Sequence, residues 1–317
     1  MNPYVFIVGC PRSGTTLLQR MVDAHAEIAI PRETHWIPES FKRQTGITAD
    51  GFVTHELLES LLAHPKFGNL GIEREALELL LATEGRLSYA KFISALFDLY
   101  GERRGKRLVG DKTPGYVREI AILHGLWPRA RFVHLIRDGR DVCLSATSWE
   151  RKAQHFRRRF RTWDDDPTTT AALWWTWHVR LGLEAGARLA SDLYYEIRYE
   201  TLVTDPESEC RKLCVFLDVA FDPTMLRYHE GRTRPAAHLS AKRAWLPPTP
   251  GLRDWRTQMP AEALQRFEAA VGDLLEELGY ARGIPQPAAE SLERTSRIAA
   301  VFREDAPASG RPLPERW

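Results

Sequence analysis

Residues 4–24, "YVFIVGCPRSGTTLLQRMVDA", constrain the fold of this chain more than any other stretch. An apolar, β-branched run ends at a glycine-flanked turn, and a segment with helical periodicity follows at once, with Leu17, Leu18, Met21 and Val22 on one face. That order predicts a buried strand, a tight turn, and a helix whose first N–H groups open toward the strand's carboxyl end. Such a turn is a cradle for an anion. Backbone donors converge there, the helix adds the positive end of its dipole, and the glycines let the backbone approach closely. Gly9-x4-Gly14 keeps the spacing of nucleotide-triphosphate loops, but Thr15 stands where those loops carry lysine. A terminal group with fewer negative charges than a γ-phosphate suits this cradle. A sulfonate fits, and its single charge removes the need for magnesium.

The alternation continues along the chain. Short β-branched and aromatic runs predict strands at 4–8, 27–30, 107–109, 131–136 and 192–198, and helical patterns occupy 15–24, 116–126, 171–190 and 207–217. The expected fold is α/β: a P-loop-like, three-layer arrangement with a central parallel sheet flanked by helices. Residues 37–105 read as a helical cap inserted over the sheet. One domain is expected over 1–282, followed by a partly flexible tail over 283–317 that holds a short helix near 292–302.

In open parallel sheets, ligands sit beyond the carboxyl ends of the strands. Here those ends carry "GCPRSGTT", "PRETHW", "GDKTP", "RDGRD" and "YETL". Arg12 lies inside the first turn, and Ser13, Thr15 and Thr16 add hydroxyl donors. Glu33 is positioned to act as general base on an acceptor hydroxyl, with His35 as its competitor two residues on. Lys112 can bring a positive charge to a leaving-group oxygen. Arg137 and Ser145, eight residues apart, are placed to grip a second phosphate. His134, in mid-strand, reads as a core histidine with a hydrogen-bond partner. Asp138 mimics the magnesium-binding acid of ATPases, but Arg137 is an awkward neighbour for a metal ligand. Trp174, Trp175 and Trp177 cannot share one helix face; core packing is expected for some, and one is a candidate to line the acceptor pocket. The run 157–161 reads as a solvated face.

A net charge of +2 is too small to imply a nucleic-acid partner. Arginine outnumbers lysine 36 to 8, which reads mainly as the mark of a GC-rich bacterial genome. The first strand has no basic lead-in and no run approaches 18 apolar residues, so no membrane partner is expected and the cytoplasm is the expected compartment. Cys10, Cys143, Cys210 and Cys214 lack metal-ligand spacing, and no metal is expected.

The motifs together resemble sulfotransferases that use 3′-phosphoadenosine 5′-phosphosulfate (PAPS). "PRSGTTLLQRMVDAHAEI" followed by "RET" is similar to the tyrosylprotein sulfotransferases and their bacterial small-molecule relatives, and "GDKTP", "FVHLIRDGRDVCLS", "RYETLVTDPE" and "GLRDW" follow in the family's order. The resemblance implies that Pro11, Arg12, Ser13, Gly14, Thr15 and Thr16 hold the 5′-phosphosulfate. It implies that Arg137 and Ser145 bind the 3′-phosphate and that Tyr199 lies against the adenine. Lys112 and Ser240 would stabilise the leaving phosphate, with Arg12 beside the developing charge, and Glu33 matches the catalytic carboxylate. His35 and Trp36 are the candidates for acceptor contact.

Two positions depart from the tyrosylprotein pattern: His35 replaces an arginine, and Leu246-Pro247 replaces a lysine-proline pair. They favour a small-molecule acceptor, such as one from bacterial secondary metabolism. The expected reaction is sulfuryl transfer from PAPS to a hydroxyl, or less readily an amine. A protein-tyrosine acceptor, a P-loop kinase and a non-catalytic nucleotide-binding adaptor stand as alternatives. A homodimer is left open.

Overall fold

The computed structural model describes residues 3–148, 150–230 and 247–306. Its centre is β1 (Val5–Gly9), buried along its whole length. Four strands join it: β2 (Ile28–Ala29), β3 (Leu108–Lys112), β4 (Arg131–Ile136) and β5 (Tyr194–Arg198). The order is β2-β3-β1-β4-β5, and every pair is parallel. After β1 the chain builds β2 and β3 on one side, then crosses to build β4 and β5 on the other. The switch point therefore lies at the carboxyl end of β1, where ligands of such sheets collect.

The alternation of side chains sorts β1 between two apolar layers. Tyr4, Phe6 and Val8 face one cluster, whereas Val5 and Ile7 face the other. The second layer is closed by α1 (Thr15–Ala24). The first is closed by helices of the 37–105 segment: α2 (Ile37–Arg43), α3 (His55–Leu62), α4 (Arg74–Glu84) and α5 (Tyr89–Glu102). Phe97 of α5 packs on Tyr4 at 5.3 Å and on Phe6 at 6.3 Å, so this insertion shares the core of the sheet.

Next come α6 (Ile120–Leu126), α7 (Gly139–Thr147), α8 (Glu150–Arg159) and α9 (Pro167–Ala187). Beyond β5 lie α10 (Tyr199–Thr204), α11 (Pro206–Phe216), α12 (Trp255–Gln258), α13 (Ala261–Val271), α14 (Leu274–Glu277) and α15 (Ala289–Asp305). Helix α9 is enclosed on several sides, and its three tryptophans are all buried. Trp174 meets Phe156 edge-on, Trp175 meets Phe267, and Trp177 meets Phe302. None of the three is left to form a free pocket wall.

Two local expectations shift. The third strand extends to Lys112, because pairing of Phe6 with Asp111 and of Ile7 with Lys112 carries the ladder past the last β-branched residue. A Cβ at Gly110 would lie 1.8 Å from the Val5 carbonyl oxygen, so only glycine allows this approach. The charged stretch at 151–167, read in its 157–161 part as a solvated face, buries Phe156 on α8 and Phe160 and Trp163 just beyond its end. The run 157–161 is a solvated face only in part: Arg157 pairs with Asp164 and Arg161 with Glu304 and Asp305, whereas Arg159 lies over the Phe160 and Trp177 rings at 5.4 and 5.5 Å. Helix α15 packs inward through Phe302, which stacks on Phe160 at 4.7 Å.

Candidate active site

The turn after β1 has the strained geometry expected of an anion cradle. Gly14 has φ +101°, and a Cβ there would fall 2.5 Å from the Tyr199 ring. Arg12 also adopts a left-handed conformation, with φ +83°, which is costly for a side-chain-bearing residue. The Ser13 amide donates to the Cys10 carbonyl at 3.1 Å and closes the turn. Helix α1 then starts at Thr15, half-buried Pro11 and Thr16 border the turn, and Thr15 is buried. The Ser13 hydroxyl is buried with no hydrogen-bond partner among the described residues. A buried donor left in this way calls for a ligand or water.

Three arginines crowd the same edge. Arg12 donates through Nε to Ser145 Oγ at 3.0 Å, which brings the turn against α7. Arg137, at the end of β4, lies over the Tyr199 ring at 4.1 Å and pairs with Asp141 at 3.0 Å. Its Nε is buried without a hydrogen-bond partner among the described residues. Arg253 donates to Ser148 Oγ at 2.9 Å. Burial, followed by repulsion from Arg253 and Arg137, brings the Arg12 guanidinium down to about 10. Burial and Arg137 also lower Arg253. Mutual repulsion among buried cations is relieved when an anion sits between them.

A carboxylate faces this cluster across the loop. Lys112 Nζ donates to Glu33 Oε1 at 2.7 Å and to Thr16 Oγ1 at 3.3 Å. Glu33 Oε2 and His35 Nε2 lie 2.7 Å apart. Burial alone would raise the Glu33 carboxyl, but the Lys112 charge and the His35 contact outweigh it and hold Glu33 well below the usual carboxylate range. The segment is pinned from behind. The Thr34 amide donates to Thr113 Oγ1 at 3.1 Å, and Tyr116 Oη lies 2.8 Å from Thr34 Oγ1 while accepting from the Ile37 amide at 3.0 Å. Asn69 donates to the Glu33 carbonyl at 2.8 Å.

Glu33, Lys112, Arg12, Arg137, Ser145 and Tyr199 thus gather at one sheet edge. His35 is exposed beside Glu33, whereas Trp36 is buried against Phe67 at 5.6 Å. Ser240 and Leu246 lie outside the described residues. His134 is a core histidine: Nδ1 lies 2.6 Å from Tyr194 Oη, and burial lowers the ring to about 3. Asp138 is occupied by Arg140, which reaches Oδ1 at 3.0 Å and Oδ2 at 2.7 Å. No cluster suited to a metal ion occurs among the described residues.

Sequence reasoning left three participants unassigned. Arg253 and Asp141 lie within the quoted motifs "GLRDW" and "RDGRD", but their meeting depends on chain folding. The Trp255 amide donates to Asp141 Oδ1 at 3.0 Å and brings the "GLRDW" segment to α7. Arg140 anchors the same region through Glu268 at 2.7 Å and the Trp255 ring at 3.6 Å. The third is Asp111, wholly buried behind Lys112; burial raises its carboxyl to about 6, and Thr113 and Thr34 offset only part of that. The signal for Asp111 was its place in "GDKTP".

Comparison with known proteins accords with this arrangement. A profile described as "Sulfotransferase family" matches residues 3–223. The nodulation protein NoeE of Sinorhizobium fredii is 30% identical over 298 residues, covering 88% of this chain and 66% of the relative. Protein-tyrosine sulfotransferase A of Caenorhabditis elegans is 24% identical over 229 residues, covering 72% and 53%. The chain therefore spans about half to two thirds of the length of these curated relatives. Among solved structures, the sulfotransferase domain from the curacin biosynthetic pathway superposes with a TM-score of 0.53 at 23% identity, over 95% of this chain and 97% of that one; this likeness shows the fold.

Proposed function

The chain belongs to the sulfotransferase family, and from that premise we propose that it transfers a sulfuryl group from PAPS to a hydroxyl of a small-molecule acceptor. The observation that carries the reading is the position of Lys112, hydrogen-bonded at once to Glu33 and to Thr16 of the anion loop. An acid–base group and a leaving-group cation thereby meet beside a cradle whose arginines repel one another. An adaptor that only bound nucleotide would need the cradle alone.

In this reading the loop 11–16 holds the 5′-phosphosulfate through backbone N–H groups, the Ser13, Thr15 and Thr16 hydroxyls and Arg12. Arg137 and Ser145 bind the 3′-phosphate, Arg253 adds a second cation to that end, and Tyr199 lies against the adenine. Glu33 takes the proton of the acceptor hydroxyl as its oxygen bonds to sulfur. The bond from sulfur to the bridging phosphate oxygen breaks, and Lys112, assisted by Ser240, stabilises the charge left there. The products are a sulfate ester and adenosine 3′,5′-bisphosphate. Transfer of this kind is accelerated mainly by positioning and electrostatic stabilisation.

His35 orients Glu33, and its substitution for arginine supports a small molecule over a protein tyrosine. The four cysteines are buried, and no helix among the described residues is long and apolar enough to cross a membrane. A kinase reading is disfavoured because Arg140 fills both oxygens of Asp138. Melting curves with adenosine 3′,5′-bisphosphate, AMP and Mg·ATP test the proposal. The bisphosphate should stabilise the protein most. A larger shift with Mg·ATP would instead support the kinase.

A further inference from the structure

The loop that carries Glu33 has no regular structure of its own. Residues 30–36 belong to no helix or strand, and at His35 the backbone takes φ +65°, a conformation that side-chain-bearing residues rarely adopt. Contacts to other elements hold such a loop in place. Thr34 and Ile37 are fastened from the sheet side, through Thr113 and Tyr116. The Glu33 peptide itself is fastened from the insertion: its carbonyl accepts from Asn69 Nδ2 at 2.8 Å. Asn69 is presented by a fixed support. It lies in a 3-10 turn, Phe67–Leu70, between α3 and α4. Phe67 and Leu70 are sunk in the core, and Phe67 packs on Trp36 at 5.6 Å. The Asn69 amide donates to the Lys66 carbonyl at 3.2 Å, and the Gly71 amide donates to the Gly68 carbonyl at 3.1 Å.

The place of the Glu33 carbonyl governs what the side chain of the same residue meets. Lys112 Nζ lies 2.7 Å from Oε1, and His35 Nε2 lies 2.7 Å from Oε2. The charges that face Glu33 are Lys112 from β3, His35 from its own loop and Arg12 from the anion loop. All three act through distance, so a shift of the loop weakens them together. Reaction rates are equally sensitive to placement: a displacement of about 1 Å caused by a change remote from the reacting atoms can cost about 10²-fold.

We propose that Asn69 is a positioning residue for sulfuryl transfer: its hydrogen bond to the Glu33 carbonyl sets where the carboxylate stands relative to Lys112 and the anion loop. The 37–105 insertion thereby serves the reaction as well as the core. The role rests on the reading of Glu33 as base. The test uses the full chain with Asn69→Leu, which is close in shape but has no donor, and Asn69→Ala. In both variants, turnover of ³⁵S-labelled PAPS should fall by about tenfold to a hundredfold while calorimetric affinity for adenosine 3′,5′-bisphosphate stays unchanged. The Glu33 carboxyl, followed by 13C NMR, should titrate at higher pH than in wild type. Gly68→Ala, an exposed change in the same turn with open space around the added carbon, should leave turnover and titration as they are. A lowered melting temperature with turnover and titration unchanged would mark a purely structural role and overturns the proposal. A loss of turnover matched by an equal loss of bisphosphate affinity also overturns it. The titration needs no acceptor. If wild type transfers no sulfuryl group while the carboxyl still shifts in Asn69→Leu, the positioning of Glu33 stands and the sulfuryl-transfer reading falls.

Discussion

Lys112 Nζ lies 2.7 Å from Glu33 Oε1, and the lysine is 5% exposed while the glutamate is 33% exposed. The pair fixes the charge of the proposed base. Burial favours the protonated carboxyl, but Lys112 and His35 hold Glu33 ionised, with its pKa depressed. A depressed carboxyl contributes stability that is present above its unfolded pKa and lost only as pH falls through the folded value. Titration of the Glu33 carboxyl by 13C NMR should therefore show no protonation between pH 5 and 8. Lys112→Met removes the principal opposing charge, so the carboxyl should titrate at higher pH than in wild type. An unchanged titration in that variant would mean that Lys112 does not control Glu33.

The arginine cluster predicts how nucleotide affinity divides. Charge-assisted hydrogen bonds contribute on the order of 1.5–3 kcal/mol each. Arg137→Ala should remove most of the difference in calorimetric affinity between adenosine 3′,5′-bisphosphate and AMP. Arg253→Ala should also weaken the bisphosphate, by a smaller factor, because Arg253 is less enclosed. Equal affinities for the two nucleotides in the wild type would contradict the 3′-phosphate assignment.

Those two arginines also show where sequence reasoning stops. Arg137 ends a recognisable strand, so the rule for parallel sheets assigns it to the site directly. Arg253 follows no strand. It reaches Ser148 because the Trp255 amide and the buried Arg140–Glu268 pair dock its segment on α7, a long-range event that leaves no local periodicity. The sheet and the anion loop were legible because each depends on a short continuous pattern. Strand β3 was legible only to Val109, because its last residues owe their conformation to pairing with β1. The buried aromatics Phe156, Phe160 and Trp163 were hidden among the charged residues that surround them in the sequence.

Asp111 gives a prediction with the opposite sign to Glu33. Its carboxyl is raised from 3.8 to about 6 by burial. The folded protein then keeps a proton that the unfolded chain has lost, so the group's cost is fully present above pH 6 and fades as pH falls toward 4. That displacement is worth about 3 kcal/mol. Asp111→Asn should therefore stabilise the protein at pH 8 more than at pH 5 in denaturant melts. An equal effect at both pH values would show that the carboxyl does not titrate there.

Magnesium should be dispensable. The loop lacks the lysine of triphosphate sites, and Arg140 occupies both Asp138 oxygens. Treatment with EDTA should leave the rate of adenosine 3′,5′-bisphosphate release unchanged. Loss of turnover that Mg²⁺ restores would favour phosphoryl transfer.

The central claim is that Glu33 serves as base in sulfuryl transfer. The direct measurement is transfer of ³⁵S from labelled PAPS to a hydroxylated acceptor by wild type, Glu33→Gln and His35→Ala. A general base contributes typically about 10²–10⁴-fold, so Glu33→Gln should lose turnover by that order while bisphosphate affinity stays nearly constant. His35→Ala should be much milder, since its contact at 2.7 Å orients the carboxylate. Near-normal turnover in Glu33→Gln, with turnover abolished in His35→Ala, would contradict the account and move the base two residues along the chain.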